Sequence, residues 1–329
     1  VDTTQAANLL ADCAQLKWAP TMHPSYVASD AKRVGGEAIY FFHRNGGSVF
    51  YYPSIKCQVP GTDYYDIQSA YGYGGPTTNS TDRDFLRMSW NEWKSWCERN
   101  SILAEFVRFH PLLDNDQDYP GQVLSDRETV WIDLTQEDLL STYSTRVRTA
   151  VRKSIKMGAA FEIDSSLQYY PQFIRLYRSR MSSLGAKDEY LFSDEYFASA
   201  REWPHLSLGV VKYQGEIVCA SLFLTQGDYV EYFLSASNEK ARESSATHLL
   251  LHEAAVSFKK KGYIKFHLGG GTNNLSDNPL YFFKSGFSTN KGSFKIGKNI
   301  HLAEPYTEMK ERWERETGRK SPLVLFYRS

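Results

Sequence analysis

Phe266-His267-Leu268-Gly269-Gly270-Gly271-Thr272 and, after a polar stretch, Leu280-Tyr281-Phe282-Phe283-Lys284-Ser285-Gly286-Phe287 are the residues on which the reading of this chain turns. A short apolar strand that runs into three glycines lets the main chain approach a ligand closely or bend tightly. The run matches neither the dinucleotide pattern G-x-G-x-x-G nor the phosphate loop G-x-x-x-x-G-K-[ST], so dinucleotide and triphosphate chemistry fit it poorly. Tyr71-Gly72-Tyr73-Gly74-Gly75-Pro76 resembles the dinucleotide pattern only superficially, because no strand-to-helix step follows it.

Working outward from the glycines, residues 247–261 carry Leu250, Leu251, Ala254, Ala255 and Phe258 at helical spacing and end in Lys259-Lys260-Lys261-Gly262. Before that helix, two strand-like runs (208–213 and 217–223) flank Gln214-Gly215, and a third strand spans 230–235. The same order occurs upstream. Strands at 37–42 and 48–52 flank the hairpin turn Asn45-Gly46-Gly47, a helix with Trp90, Trp93, Trp96 and Cys97 on one face covers 88–100, and a strand follows at 102–108. Two units of one topology, hairpin then helix then strand, therefore sit in tandem. Between them lie a polar loop at 114–121, a strand at 128–134, and a helix expected from Thr135, as its cap, to Met157, with Asp138 in the capping-box position. That helix carries Arg146, Arg148, Arg152, Lys153 and Lys156. Such a run is usually a solvated face; the functional alternative is a landing site for a diphosphate. After Lys298, an amphipathic helix at 306–317 and a terminal strand at 323–327 are expected.

The 329 residues balance 38 Lys+Arg against 38 Asp+Glu, which argues against a general nucleic-acid or membrane-surface binder. With 42% hydrophobic residues the chain can bury a sizeable core. No apolar run reaches the roughly 20 residues of a membrane helix, so no stable membrane insertion is expected. The start Val1-Asp2-Thr3-Thr4 has neither region of a signal peptide, which points to the cytoplasm, although a chain that opens on valine leaves a removed leader open. Cys13, Cys57, Cys97 and Cys219 are too far apart for a C-x-x-C motif and read as free thiols in a reducing compartment. His248 and His252 share one helical face, but Leu249-Leu250-Leu251 stand where a metalloprotease helix has its glutamate, so no metal site is expected. The absence of Gly-x-Ser-x-Gly makes an esterase a poor fit.

Leu280-Tyr281-x-x-Lys284-x-Gly286-Phe287, placed after a strand that follows a helix that follows a hairpin, resembles the last motif of the GNAT acyl-CoA N-acyltransferases. The tandem units, the glycines at 269–271 and the basic helix at 146–158 together resemble the FemAB-like branch of that superfamily. Tyr65-Asp66-Ile67-x-x-x-Tyr71-Gly72-Tyr73-Gly74-Gly75-Pro76 and Arg108-Phe109-His110-Pro111 look more like its sugar N-acyltransferases than its peptidoglycan-bridge enzymes. The resemblance implies an α/β (α+β) fold of two tandem GNAT-like domains, each a mixed twisted sheet flanked by helices. The expected bounds are 1–133, 134–297 for the acyl-CoA-binding domain, and 298–329 returning to the first. It further implies transfer of an acyl group from acyl-CoA, or an acyl carrier protein, to the amine of a nucleotide-linked amino sugar in cell-surface polysaccharide synthesis. Two alternatives stay open: an aminoacyl-tRNA-dependent peptide-bridge transferase, and a catalytically silent binding protein of the same fold. The partner expected is a small nucleotide sugar, not a nucleic acid, and a homo-oligomer is compatible with it.

In the GNAT fold two neighbouring parallel strands part, and the pantetheine arm of coenzyme A adds to the exposed edge as an extra strand would. Here those strands are 230–236 and 263–268, with main-chain N–H groups of Leu234, Ser235 and Ala236 as the oxyanion site. The family's phosphate turn, R-x-x-G-x-G/A, falls on Arg242-Glu243-Ser244-Ser245-Ala246-Thr247, with hydroxyl residues at the glycine positions; its helix N-terminus suits an anion, and the ordinary reading is a Ser/Thr cap. Lys284 matches the family lysine that stabilises developing negative charge. The family tyrosine that protonates the leaving thiolate falls on Tyr281 or on Phe282, depending on the direction of counting, and only Tyr281 has a proton to give. Asp277 is either an acceptor of the ammonium proton or the cap of the helix ahead of Pro279. His267 is either a general base or a satisfied core histidine. The acceptor is expected against Tyr71, Tyr73, Tyr232, Gly269, Gly270 and Gly271, with its phosphates near Arg146, Arg152, Arg180 or Lys284.

Overall fold

A computed structural model describes residues 1–13, 15–275 and 277–328. The chain divides into two compact units, one of residues 1–126 with 293–329 and one of residues 127–292, where the sequence reading had placed boundaries at 133 and 297. The first unit opens with α1 (Thr3–Ala11) and α2 (Pro24–Arg33), continues through β1 (Glu37–Asn45), β2 (Ser48–Gln58), β3 (Tyr65–Gln68) and the short β4 (Thr77–Thr78), and then forms α3 (Arg83–Arg99) and β5 (Ile102–Arg108). The second runs from β6 (Gln122–Asp133) through α4 (Leu139–Thr142), α5 (Thr145–Lys156), β7 (Ala160–Asp164), α6 (Tyr170–Ser183) and α7 (Asp194–Ala200). It then forms β8 (Leu206–Tyr213), β9 (Glu216–Gln226), β10 (Tyr229–Ser237), α8 (Glu239–Glu243), α9 (Ala246–Lys260), β11 (Lys265–Gly270) and α10 (Pro279–Ser285). β12 (Lys291–Ile300) and α11 (Ala303–Thr317) return the chain to the first unit.

Each unit is built on a mixed sheet. In the first the order is β1-β2-β3-β5-β12, with β4 on β2, and only the β3–β5 pair is parallel. In the second the order is β6-β11-β10-β9-β8-β7, and only β10–β11 is parallel. Both hairpins form at the expected turns, and both long helices pack their apolar stripe on the sheet that follows from them: Trp90, Trp93 and Cys97 of α3 in one core, Leu250, Ala254 and Phe258 of α9 in the other.

Three expectations need correction. The helix expected from Thr135 to Met157 is two helices, because Asp138 caps α4 and the chain then extends at Tyr143 and Ser144, where the Ser144 N–H donates to the Gly286 carbonyl and the Ser144 hydroxyl caps α5. The terminal strand at 323–327 is instead a turn and a single 3-10 turn at Phe326–Arg328, since Val324, Leu325 and Phe326 pack against α11 and do not pair with a strand. β12, which has no apolar run to announce it, was not expected.

The core of the first unit holds a carboxylate with no exposure, Glu105, whose oxygens accept from the Trp93 indole (3.0 Å), the Tyr119 hydroxyl (2.6 Å) and a ring nitrogen of His301 (3.1 Å). Cys97 lies close by, but with both Glu105 oxygens already taken the group is an internally satisfied network. All four cysteines are buried and free, and burial raises the Cys97 thiol pKa most. On β3, an inner strand of this sheet, buried Asp66 accepts from the Arg328 guanidinium at 2.7 Å. Replacing Arg328 with glutamine should lower the unfolding free energy by about 3 kcal/mol, because it strands a buried carboxylate. Urea melts at pH 7 and pH 5 check this, and the loss should shrink at the lower pH, since burial already raises the Asp66 pKa and an unpaired carboxyl protonates more readily still.

Candidate functional site

β10 and β11 pair in only three steps, Tyr229 with Lys265, Val230 with Phe266, and Glu231 with His267. Beyond that point they part. Tyr232 to Ser237 have no registered partner on β11, while β11 turns to β6 through a bulge between His267 and Gly269 and β10 is bulged against β9 between Tyr232 and Ser235. On the β9 side Ser235 faces Ser221 and Ala236 faces Ala220, and the Leu234 carbonyl accepts from the Ser221 hydroxyl at 2.9 Å. The β11 side of this stretch is thus a strand edge inside a sheet, which an extended group can pair with.

The glycines are each explained by one close approach. Gly269 sits in the left-handed region (φ +75°) at the bulge. A Cβ on Gly270 would lie 2.8 Å from the Glu128 carbonyl of β6, and one on Gly271 would lie 2.5 Å from the Asn278 side chain. The Gly271 carbonyl is held by Arg127 at 3.0 Å, and the Gly270 carbonyl accepts from the Lys284 amine at 2.8 Å.

Lys284 is 7% exposed, on the inner face of α10. Burial strips its ammonium of water and pushes its pKa down to about 7, against the opposing pull of Glu231. Its nitrogen lies 5.8 Å from the centre of the Tyr232 ring, whose own pKa burial raises. A lysine that exchanges its proton near neutrality can accept one from an ammonium or, protonated, stabilise an oxyanion. His267 is fully buried and its Nδ1 stands 2.7 Å from Glu231.

Tyr281 donates its hydroxyl to Glu128, with Lys291 4.8 Å from its ring centre. Burial, and next the Glu128 carboxylate, raise its pKa to about 12. Phe282 turns outward under the Arg146 guanidinium. Asp277 is exposed and does not cap α10; Asn278 does, accepting from the Leu280 and Tyr281 N–H groups while its amide holds Thr272 and Asn273. A side chain one residue closer to Pro279 reaches those donors and Asp277 does not.

At the phosphate turn the alternative reading, an ordinary Ser/Thr cap, does not hold. Ser245 opens α9 in the left-handed region (φ 56°) with no side-chain cap bond, and the buried Ser244 hydroxyl turns back to the Lys240 carbonyl. Thr247 accepts from the Cys219 thiol, Ala246 is buried, and Arg242 is exposed. Arg146 is occupied by α10, donating to the Phe282 carbonyl at 2.8 Å, whereas Arg152 is exposed on α5 and Arg180 half-buried in the last turn of α6. Tyr71 and Tyr73 belong to the first unit, where Asp30 holds the Tyr71 N–H and the Tyr73 ring packs on His110 and Phe294. The structure thus gathers Lys284, Tyr232, His267 and the glycines, together with Glu231, Glu128, Arg127 and Asn278, which the sequence reading missed. A glutamate between Val230 and Tyr232, in a strand otherwise apolar, was the available signal for Glu231.

His248 and His252 each pack on aromatic rings. The first packs on Phe283 and Phe287, the second on Tyr143, and neither His248 Nε2 nor His252 Nδ1 has a hydrogen-bond partner among the described residues. Burial, then Arg146, lowers the His248 pKa to about 4.

Two pH effects follow from these shifts. Lys284 protonates near 10.5 when unfolded and only near 7 when folded, so its penalty on folding is complete below pH 7 and fades as pH rises to 10.5. Lys284→Met should therefore raise stability at pH 7 by up to about 4 kcal/mol, and its advantage should vanish near pH 10.5. Denaturant melts across pH 6 to 10 would refute this by showing no gain. His248 acts in acid: the unfolded chain takes up its proton near 6.5 and the folded one near 4, so stability is whole above 6.5 and falls by about 1–3 kcal/mol as pH drops toward 4. In His248→Gln the melting temperature should lose that part of its slope between pH 6.5 and 4.

Comparison with known proteins agrees with this geometry. The acetyltransferase (GNAT) domain family matches residues 141–282. FemX is similar in structure over 87% of this chain and 93% of its own, at 15% identity and a TM-score of 0.68. The C-terminal domain of a putative lysylphosphatidylglycerol synthetase from Agrobacterium fabrum is similar over 95% of this chain and 98% of its own (13% identity, TM-score 0.63), and L-PGS from Bacillus licheniformis over 86% and 90% (13%, 0.54). No curated protein matches in sequence. Among the described residues no helix is long and apolar enough to cross a membrane. Residues 141–282 thus match a GNAT acetyltransferase domain whose two neighbouring parallel strands part beside α10, and the chain shares the fold of FemX.

Proposed function

We propose that the second unit transfers an aminoacyl group from aminoacyl-tRNA to an amine or hydroxyl of a cell-envelope precursor. The observation that carries this reading is the open β10 edge beside Lys284, whose amine works near neutral pH. An ester carbonyl laid along that edge meets main-chain N–H groups near Leu234 to Ala236, and the attacking amine can pass its proton to neutral Lys284. The donor is argued from the turn ahead of α9. A pyrophosphate needs a main chain bared by glycine, whereas Ser245 and Thr247 carry side chains at the two glycine positions of that turn. The FemX and lysylphosphatidylglycerol synthetase folds support aminoacyl transfer and give no support to a nucleotide-linked amino sugar. Acyl-CoA is the second reading, favoured by the GNAT domain match and by the α9 N-terminus without a side-chain cap.

The test supplies labelled aminoacyl-tRNAs or acyl-CoAs in parallel with peptidoglycan precursors, anionic phospholipid and amino-sugar nucleotides, read by mass spectrometry. Transfer from aminoacyl-tRNA that ribonuclease abolishes and Lys284→Met reduces by about 100-fold or more is expected. Transfer from acyl-CoA alone would overturn the donor assignment.

A further inference from the structure

We propose that the outer face formed by α5 and α10 docks on an anionic phospholipid bilayer. From Leu139 to Ala160 the chain has no acidic residue, and Arg148, Arg152, Lys153 and Lys156 occupy the solvent arc of α5 at positions i, i+4, i+5 and i+8. Arg152, Lys153 and Lys156 are exposed and form no ion pair among the described residues. Large apolar side chains on the two helices stand without cover: Ile155 is 54% exposed on α5, and Phe282 is 61% exposed on α10. The two helices form one surface, because Arg146 donates to the Phe282 carbonyl and covers its ring at 4.2 Å, and Gly286 packs so closely on α5 that an added Cβ would meet Arg146 and Val147 at 2.6 Å.

Neither half of this surface is explained by packing within the unit. Cations attract anionic headgroups, and apolar side chains among them enter the headgroup–acyl boundary; the two signals together give an attachment that either alone does not. A zero net charge describes the whole chain and does not cancel a one-sided patch. A bilayer fits better than RNA: Ile155 offers nothing to a base, and one face of Phe282, the stacking surface a base would use, is already covered by Arg146. Lys284, two residues on from Phe282, lies on the opposite side of α10 from that ring, so docking would hold the site's helix at the interface. The inference does not depend on which donor the groove accepts.

Vesicle sedimentation of the full chain tests it. Binding is expected to equimolar phosphatidylglycerol/phosphatidylcholine vesicles in 0.1 M salt and not to pure phosphatidylcholine, with loss in 1 M salt. The triple variant R152Q/K153Q/K156Q should bind roughly 100-fold more weakly, at about a fivefold loss per cation. Ile155→Ser with Phe282→Ser should weaken binding several-fold, and unchanged melting temperatures would show that both variants fold. Equal binding to neutral vesicles, none to anionic ones, or an undiminished triple variant overturns the proposal. So does bulk tRNA retarded by the wild-type chain and not by the triple variant while vesicles stay unbound, which would assign the face to RNA.

Discussion

The arrangement around the site depends on one hydrogen bond, from the Lys284 amine to the Gly270 carbonyl, made where almost no water reaches. An ammonium in such a place loses its hydration and recovers little from one carbonyl, which is why its proton leaves near pH 7. For the bond to form, α10 must lie close against the end of β11, and each obstacle to that approach has been removed. Gly286 lets α10 meet α5, Gly271 lets it meet its own cap residue, and Gly270 lets β11 meet β6. Arg127 and Asn278 then hold the glycine loop by its carbonyl and by Thr272. The lysine is poised by the closeness of the main chain and only secondarily by Glu231.

The two units show what the parting of the strands requires. In the second, pairing between β10 and β11 ends at Glu231. In the first, the equivalent parallel pair stays joined beyond its last ladder step. The Ser69 N–H donates to the Phe106 carbonyl, the Ser69 hydroxyl accepts from the Arg108 N–H, the Gly74 N–H donates to the Arg108 carbonyl, and Gly74 bridges Phe109. Asn115 adds two bonds, to the Gly74 and Pro76 carbonyls. A hydroxyl and an amide thus close the gap that, in the second unit, a bulge on each side holds open. The same chain topology gives one unit with a free edge and one without, and the domain match at 141–282 falls on the unit whose edge is free.

This contrast also explains what the sequence could and could not reveal. The hairpins and the helices α3 and α9 are written locally, in Asn45-Gly46-Gly47, Gln214-Gly215 and a single apolar stripe, so they were legible. β12 reads Lys-Gly-Ser-Phe-Lys-Ile-Gly-Lys-Asn-Ile and becomes a strand only because β5 is there to pair with it. The break at Tyr143 and Ser144 is likewise set from a distance, by the Gly286 carbonyl. Lys284 could be found from its motif, but its environment comes from residues 128, 231, 267 and 270, which no local pattern connects. The cap of α10 was missed by one position, because Asp and Asn are equally good caps and only the main-chain path decides which one reaches.

The turn ahead of α9 carries the argument about the donor. Ser245 holds a left-handed backbone at a cost of about 1 kcal/mol that glycine would avoid, and it makes no cap bond in return. A glycine there would serve a ligand that must touch the main chain; a serine keeps the turn shaped while setting a side chain between the amides and whatever approaches. The hydroxyl of Ser244, buried and turned inward, fixes the preceding helix end in the same way. A donor that enters along β10 and bears its charge elsewhere loses nothing by this, whereas one that must seat a pyrophosphate on those amides does.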